Sequence, residues 1–429
     1  MMTDLSLRVT RGDATMLYAT SVGSYTVRLH LRLDRKIDAA KMRKAVDLTA
    51  GRYPYLCVRL RRNDKEFFYE ANEAPVALLN TPGMITLGSA ETNHHIWAVC
   101  YAEDHLYLDF FHGRMDGTAA YFLLATLLWC YFRQDEECSD STGIRTPDQP
   151  AAEAEVHDPV EDLPTIDLSA LHLPPAPSAL NLMKESALAR TEDKGKILKL
   201  MIPESSFLPF TRGNDASPGV MISVLIARAI ERVHREHEKP LISYYVVNAR
   251  PMLHAPDTFH NCTNRVVFHY DDRIRNMPLD RQCTVYRGKT ILQADEDAIQ
   301  KGMVIAGSMA QRILDIPDFS MKVQAAGQAI AGLYDASTYI VSYVGKWKHA
   351  QIGRHIEEFW TETPAGMFPL IEVAAVNGRI FLSFFSRLRN VCILMPCCRN
   401  LRRTESGMSN AEQTGSVWPR SRSSRHRKP

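Results

Sequence analysis

What this sequence lacks narrows it first. The longest apolar run, Thr118 to Phe132, has 15 residues, short of the about 20 that a membrane-spanning helix needs. The opening Met1-Met2-Thr3-Asp4-Leu5-Ser6-Leu7-Arg8 has no apolar signal core, so export through a cleaved peptide is not expected and a cytoplasmic protein is the default. Nine Cys contain no C-x-x-C pair and no metal-type spacing, which fits reduced thiols better than a disulfide framework. His94-His95, and His234 with His237, have no third ligand at a useful spacing, so no metal is expected. There is no G-x-S-x-G elbow and no phosphate-binding Gly loop, which removes support for serine hydrolase and nucleotide-enzyme chemistry.

Charge of one sign is also missing from most of the chain. The net +2 is an average over unlike parts: residues 387–429 hold ten Lys and Arg against two acids, so the preceding body is net acidic. That body shows no basic residues interleaved with aromatics, so a nucleic-acid surface is not expected. At 429 residues and 45% hydrophobic content, it has the apolar material for two sizeable cores.

Tyr25, Val27, Leu29, Leu31 and Leu33 alternate with Thr26, Arg28, His30, Arg32 and Asp34, the pattern of a half-buried strand. Asp38 is an N-cap candidate for a helix to about Ala50, stopped by Gly51. Strands are expected at Tyr55 to Arg61 and Glu66 to Glu70, then a hairpin of Ile96 to Cys100 and Leu106 to Phe111. Residues 136–195 are rich in Pro and acids without a sustained period and read as a linker. Beyond them the patterns predict a strand at Lys196 to Ile202, a helix from Ser217 to Glu236 and strands at Leu241 to Val247 and Asn264 to Tyr270. Helical text from Leu279 to Leu314 bends around Gly302 and Gly307. Strands follow at Thr338 to Tyr343 and twice within Gly366 to Phe385. The fold class is therefore α/β, mixed sheets with flanking helices, with lobes at 1–135 and 196–386. Residues 387–429 form an atypical basic end, read as a disordered tail or a replaced C-terminus.

One stretch presents chemistry. Tyr107 to Phe111 reads as an apolar strand that runs into His112-Gly113-Arg114-Met115-Asp116-Gly117, and Thr118 to Phe132 reads as a buried helix. His112 thus sits where a strand gives way to a helix, a rigid mount for a general base. Asp116 reads as the cap of that helix, and Gly117 permits tight backbone.

Phe111 to Gly117 followed by a helix resembles the His-x-x-x-Asp-Gly signature of the CoA-dependent acyltransferases related to chloramphenicol acetyltransferase. That superfamily includes peptide-synthetase condensation domains and alcohol acetyltransferases. The helix from Ser217, the strand ending at Arg250, the Phe259-His260-Asn261-Cys262-Thr263-Asn264 turn and Ser342-Tyr343-Val344-Gly345 are similar to its second-half landmarks, in order, so the resemblance spans about residues 15 to 385. It implies two lobes around a central channel, with His112 as general base, Asp116 paired to Arg250 of the other lobe, and Ser342 and Asn264 as channel or oxyanion residues. It also implies acyl-CoA as co-substrate with no bound cofactor, and an alcohol as acceptor. Phe111 stands where condensation domains carry a first His, which favours acyl-CoA over a carrier protein. A stand-alone condensation enzyme using a carrier-bound thioester and an amine, and a non-catalytic binding member, stay open as alternatives.

Overall fold

The computed structural model describes residues 7–19, 25–171, 178–182, 191–233, 237–363 and 369–388. His234 and all but the first two residues of the basic end lie outside them. The first half contains α1 (Arg11–Tyr18), β1 (Thr26–Leu33), α2 (Ala39–Arg52), β2 (Val58–Arg62), β3 (Phe67–Ala71), β4 (Leu78–Asn80), β5 (Trp97–Ala102), β6 (His105–Phe111), α3 (Gly117–Phe132) and α4 (Glu153–Val156). The second contains β7 (Thr191–Pro203), α5 (Glu204–Gly213), α6 (Pro218–Val233), β8 (Leu241–Asn248), β9 (Thr263–Tyr270), α7 (Asp272–Arg275), α8 (Leu279–Gln293), α9 (Glu296–Asp315) and α10 (Phe319–Asp335). It closes with β10 (Tyr339–Lys346), α11 (Ala350–Gly353), β11 (Ile356–Glu362), β12 (Leu370–Val376) and β13 (Arg379–Leu388).

Two large sheets result, as the α/β reading expected. The first has the order β11-β1-β6-β5-β4 and the second β7-β13-β12-β10-β8-β9. Both are mixed: β4 runs parallel to β5, and β10 runs parallel to both β8 and β12. A separate β2-β3 ribbon completes the sheets among the described residues. Each large sheet has its own core, the first built around α2 and α3 and the second around α6 and α8. The start of α2 follows its sequence signal, with the Asp38 carboxylate accepting from Ala40 N and Lys41 N at 2.9 and 3.0 Å. α3 is apolar on nearly all sides and correspondingly buried from Ala119 to Phe132, apart from Tyr121 and Phe122. No helix among the described residues is long and apolar enough to cross a membrane.

Three features differ from the sequence expectation. The polar face of β1 is covered rather than solvated: Arg28 is 1% exposed and bonds both oxygens of Asp109 at 2.7 Å, while His30 meets Glu362 at 2.7 Å. Charge pairing of Arg28 with Asp109, and a hydrogen bond between the His30 ring and Glu362, make that burial tolerable. Gly302 and Gly307 do not bend a helix. The break falls at Ala294 and Asp295, where the Asp295 carboxylate caps α9 through Ala298 N at 2.7 Å. The two glycines instead admit neighbours, since a Cβ would lie 2.4 Å from Asn264 Nδ2 at Gly302 and 2.9 Å from Val160 Cγ1 at Gly307. Finally, β11 was not anticipated. It comes from near the end of the chain yet pairs with β1 from Arg28↔Glu362 to Leu33↔Ile356, so the first sheet is built from both halves.

Part of the 136–195 stretch is packed. Glu155 on α4 is buried, accepting from Arg52 Nη1 at 3.0 Å and from the Tyr55 hydroxyl at 2.6 Å, and its backbone carbonyl receives Phe259 N at 2.9 Å.

Candidate active site

β6 delivers its last residue, Phe111, to the edge of the core, and the backbone then turns for five residues before α3. The turn is held at both ends of its backbone. His112 N donates to Tyr25 O at 2.8 Å and Arg114 N donates to Phe111 O at 3.1 Å. Tyr25 sits at φ +48°, a conformation that side chains other than glycine adopt at a cost of about 1–3 kcal/mol and that here aims its carbonyl at the His112 amide. Gly113 is required by space, because a Cβ there would fall 2.3 Å from the Phe111 ring. At Gly117 a Cβ would fall 2.6 Å from Val344 Cγ2 on β10. The start of α3 therefore touches the second sheet directly.

His112 is half-buried, and one of its ring nitrogens is already assigned. Nδ1 lies 3.1 Å from Asn261 Oδ1, while Asn261 Nδ2 donates to the His112 carbonyl at 2.9 Å. A carbonyl only accepts, so the amide nitrogen of Asn261 must face it, which turns the amide oxygen toward the ring. Nδ1 is consequently the protonated nitrogen of the neutral imidazole, and the lone pair is left on Nε2. That is the tautomer a general base requires if its substrate lies on the Nε2 side.

Asp116 and Arg250 meet, 134 residues apart, in a bidentate pair of 2.7 and 2.9 Å, with both side chains almost fully buried. Asp116 also caps α3 through Ala119 N at 3.1 Å and accepts Cys262 N at 3.0 Å. Arg250 spends its other donors on the carbonyls of Thr258 and His260 and, at 3.4 Å, on Asn248 Oδ1. The pair thereby fixes the motif turn and the Phe259–Asn264 turn to each other, which is what sets Asn261 against His112.

A second buried ion pair braces the same turn. Arg114 bonds Asp13 of α1, whose other oxygen lies 3.1 Å from His260 Nδ1. The Arg114 guanidinium lies 4.2 Å from the Tyr69 ring centroid and 4.8 Å from that of Phe259, a sandwich that offsets part of its desolvation. None of Asp13, Arg114, His260 or Asn261 was singled out from sequence. Asn261 and His260 lay within a turn that was noticed, and Arg114 within the motif itself; only Asp13 carried no signal.

The two remaining expected residues separate. Ser342 lies on the face of β10 that looks toward the first sheet, two residues from Val344, and is partly exposed. Asn264 belongs elsewhere: its Nδ2 donates to Ile299 O on α9 at 3.4 Å and its Oδ1 accepts Arg265 N at 2.7 Å. The position facing His112 from that turn is Asn261. His95 is buried with Nε2 at 2.7 Å from Ala74 O, and His237 pairs with Glu231 at 3.0 Å.

The sequence matches no protein-family model and no curated protein. The fold does have likenesses among solved structures. Polyketide synthase associated protein 5 from Mycobacterium tuberculosis is similar over 92% of this chain and 97% of its own, at 11% identity and a TM-score of 0.62. F. graminearum TRI101 complexed with coenzyme A and T-2 mycotoxin is similar over 87% of this chain and 94% of its own, at 11% identity and a TM-score of 0.60. The starter condensation domain of rhizomide synthetase, in complex with C8-CoA and Leu-SNAC, is similar over 93% of each chain at 11% identity and a TM-score of 0.56. The chain therefore has the fold of the chloramphenicol-acetyltransferase-like acyltransferases and condensation domains.

Proposed function

We propose that this protein transfers an acyl group from acyl-CoA to an alcohol, with His112 as general base. The observation that carries the reading is the fixed tautomer of His112: Asn261 holds Nδ1 and leaves Nε2 as the basic atom. In the step so envisaged, Nε2 takes the proton of the acceptor hydroxyl as its oxygen attacks the thioester carbonyl. Collapse of the tetrahedral intermediate then expels CoA thiolate, which recovers the proton from the imidazolium. A base so placed contributes on the order of 10²–10⁴ in rate. Asp116, Gly117 and Arg250 act on geometry, not on substrate. Ser342 is the candidate for lining the channel, from the strand that faces the start of α3. In this reading residues 1–135 and 196–386 are the two lobes, joined by 136–195, and no bound cofactor takes part. Solved structures of the same fold that hold coenzyme A with T-2 mycotoxin support a CoA donor and a small acceptor.

The test is thiol release from acetyl-CoA with a panel of alcohols, comparing wild type with His112→Ala. Loss of about a hundredfold or more supports the base assignment, and unchanged release removes it. Asn261→Ala should lower the rate by about tenfold to a hundredfold, because the ring would lose its tautomer lock but keep its position on the turn. Release only from a carrier-bound donor would instead support the condensation reading, in which the acceptor is an amine, for which the rhizomide domain is the structural parallel.

A further inference from the structure

One buried acid has no partner in the scheme above. β12 is an interior strand of the second sheet, and its side chains alternate. Ile371, Val373 and Ala375 enter the second core, whereas Ala374 and Val376 belong to the first. Glu372 therefore points between the two sheets, where it is 9% exposed. Its neighbours in register are Ser342 on β10 and Ser383 on β13, and the Ser342 hydroxyl is the one hydrogen-bonding group that reaches it among the described residues. No described Lys, Arg or His forms an ion pair with it. Burial pushes its carboxyl up to about 7.

The surroundings are polar and unfinished. The hydroxyls of Ser383 and of Tyr121, the α3 residue whose phenol feels the Glu372 charge, are buried without a hydrogen-bond partner among the described residues. Yet Ser342 and Val344, on an interior strand, stay partly exposed, as do Gly117 and Tyr121 facing them. Interior residues that keep contact with solvent mark a gap. Gly117 and Tyr121 are one helical turn apart on one face of α3, so these partly exposed residues lead from the start of α3, next to the His112 turn, toward Glu372. A carboxylate held there without a cation is disfavoured until something brings one, and such an acid beside a candidate active site is where specificity is commonly written.

We propose that Glu372 is a specificity-determining residue that receives a protonated amine carried by the acceptor, at a distance from the hydroxyl that His112 activates. The proposal rests on the acyl-transfer reading and names its substrate class: alcohols that also bear an ammonium group. The ammonium has three donors, which match the Glu372 carboxylate and the open oxygens of Ser383 and Tyr121. The donor thioester is a poor alternative occupant, since coenzyme A is anionic at its phosphates and neutral along its pantetheine arm.

Binding, measured apart from turnover, tests this. The affinities of 2-phenylethylamine and 2-phenylethanol, equal in shape and differing in charge, would be determined by calorimetry at about pH 8, where the amine is protonated and Glu372 ionised. Wild type should prefer the amine by about tenfold or more, the worth of one charged hydrogen bond. Glu372→Gln, which keeps the shape, should abolish the preference, with Glu372→Met as a second variant should the first fail to fold. His112→Ala should retain it. Equal affinities in wild type, or a preference that survives in both Glu372 variants, would overturn the proposal. Equal affinities in wild type alongside thiol release that still depends on His112 leave the base standing without the amine site. Thiol release indifferent to His112 removes the base while the amine site stands.

Discussion

Replacing Arg250 by Ala should destabilise the protein far more than a surface ion pair could. The guanidinium is 1% exposed and makes two bonds of 2.7 and 2.9 Å to Asp116, itself 1% exposed. Deleting it leaves a buried carboxylate with only two backbone donors, Ala119 N and Cys262 N, and strips the Thr258 and His260 carbonyls of theirs. Losing one partner of a buried pair costs roughly 3–5 kcal/mol, against about 0–1 kcal/mol for an exposed pair. Urea unfolding followed by tryptophan fluorescence, with five Trp in the chain, would read the difference. Asp116→Asn in the Arg250→Ala background should recover part of the loss, because the amide no longer needs a counter-charge, and a coupling of about 0.5–3 kcal/mol is expected from the cycle. Thiol release should fall in Arg250→Ala although His112 is untouched, since the turn bearing Asn261 would lose its register. A loss under about 1 kcal/mol, the size of a surface pair, with activity intact, would refute the reasoning.

Gly117→Ala should be costly in stability, by about 1–3 kcal/mol, because its Cβ meets Val344 Cγ2 at 2.6 Å; thermal melting checks it, and Val344→Ala in the same chain should restore most of the loss. Glu155→Gln should lower stability measurably at neutral pH, and the deficit should shrink in acid. The Arg52 and Arg145 charges and the Tyr55 hydroxyl hold its carboxyl below the usual 4.5 against the upward pull of burial, so its contribution is present above the unfolded value and is lost as pH falls through the folded one. His30, buried beside Lys199 and Glu362, is pushed down to about 4 from 6.5 by desolvation. The unfolded chain then binds the extra proton between those values, so stability should decline as pH drops from 6.5 toward 4, and His30→Gln should flatten that part of a urea-midpoint profile.

How far the sequence reached depended on whether a signal was local. The His112 turn was legible because a strand, a polar break and a helix succeed one another within one stretch, and Asp116 advertised itself as a cap. Arg250 was legible only through likeness. Asn261 and Asn264 show why finer placement failed: they stand three residues apart in the same turn, with identical side chains, and composition does not say which one faces the ring. What decides is a long-range contact, Asp116 to Cys262 N, which places the residue just before Cys262 against His112. The polar face of β1 failed for a related reason. Periodicity separates two faces of a strand but does not say what covers each, and Arg28 and His30 are covered by groups, Asp109 and Glu362, that lie 81 and 332 residues away.

Those long-range contacts also explain why the site belongs to the whole fold. His112 is oriented by Asn261, the Asn261 turn is set by Asp116 and Arg250, and the far side of the motif is braced by Asp13 through Arg114 and His260. Each link joins segments more than 100 residues apart, so no fragment holding the motif alone keeps the imidazole in one tautomer. The first sheet needs β11 from the second half to complete its edge beside β1, and Tyr25, just before that strand, supplies the carbonyl that receives the His112 amide. The same structural dependence applies to Glu372: its carboxyl faces α3 only because β12 sits between β10 and β13 with the register Ser342↔Glu372↔Ser383. A one-residue slip of β12 would send the acid into the second core and an apolar side chain into the gap. The His112 imidazole and the Glu372 carboxyl are thus fixed by the mutual packing of the sheets, and a substitution that loosens that packing should weaken the proposed base catalysis and the proposed amine selection together.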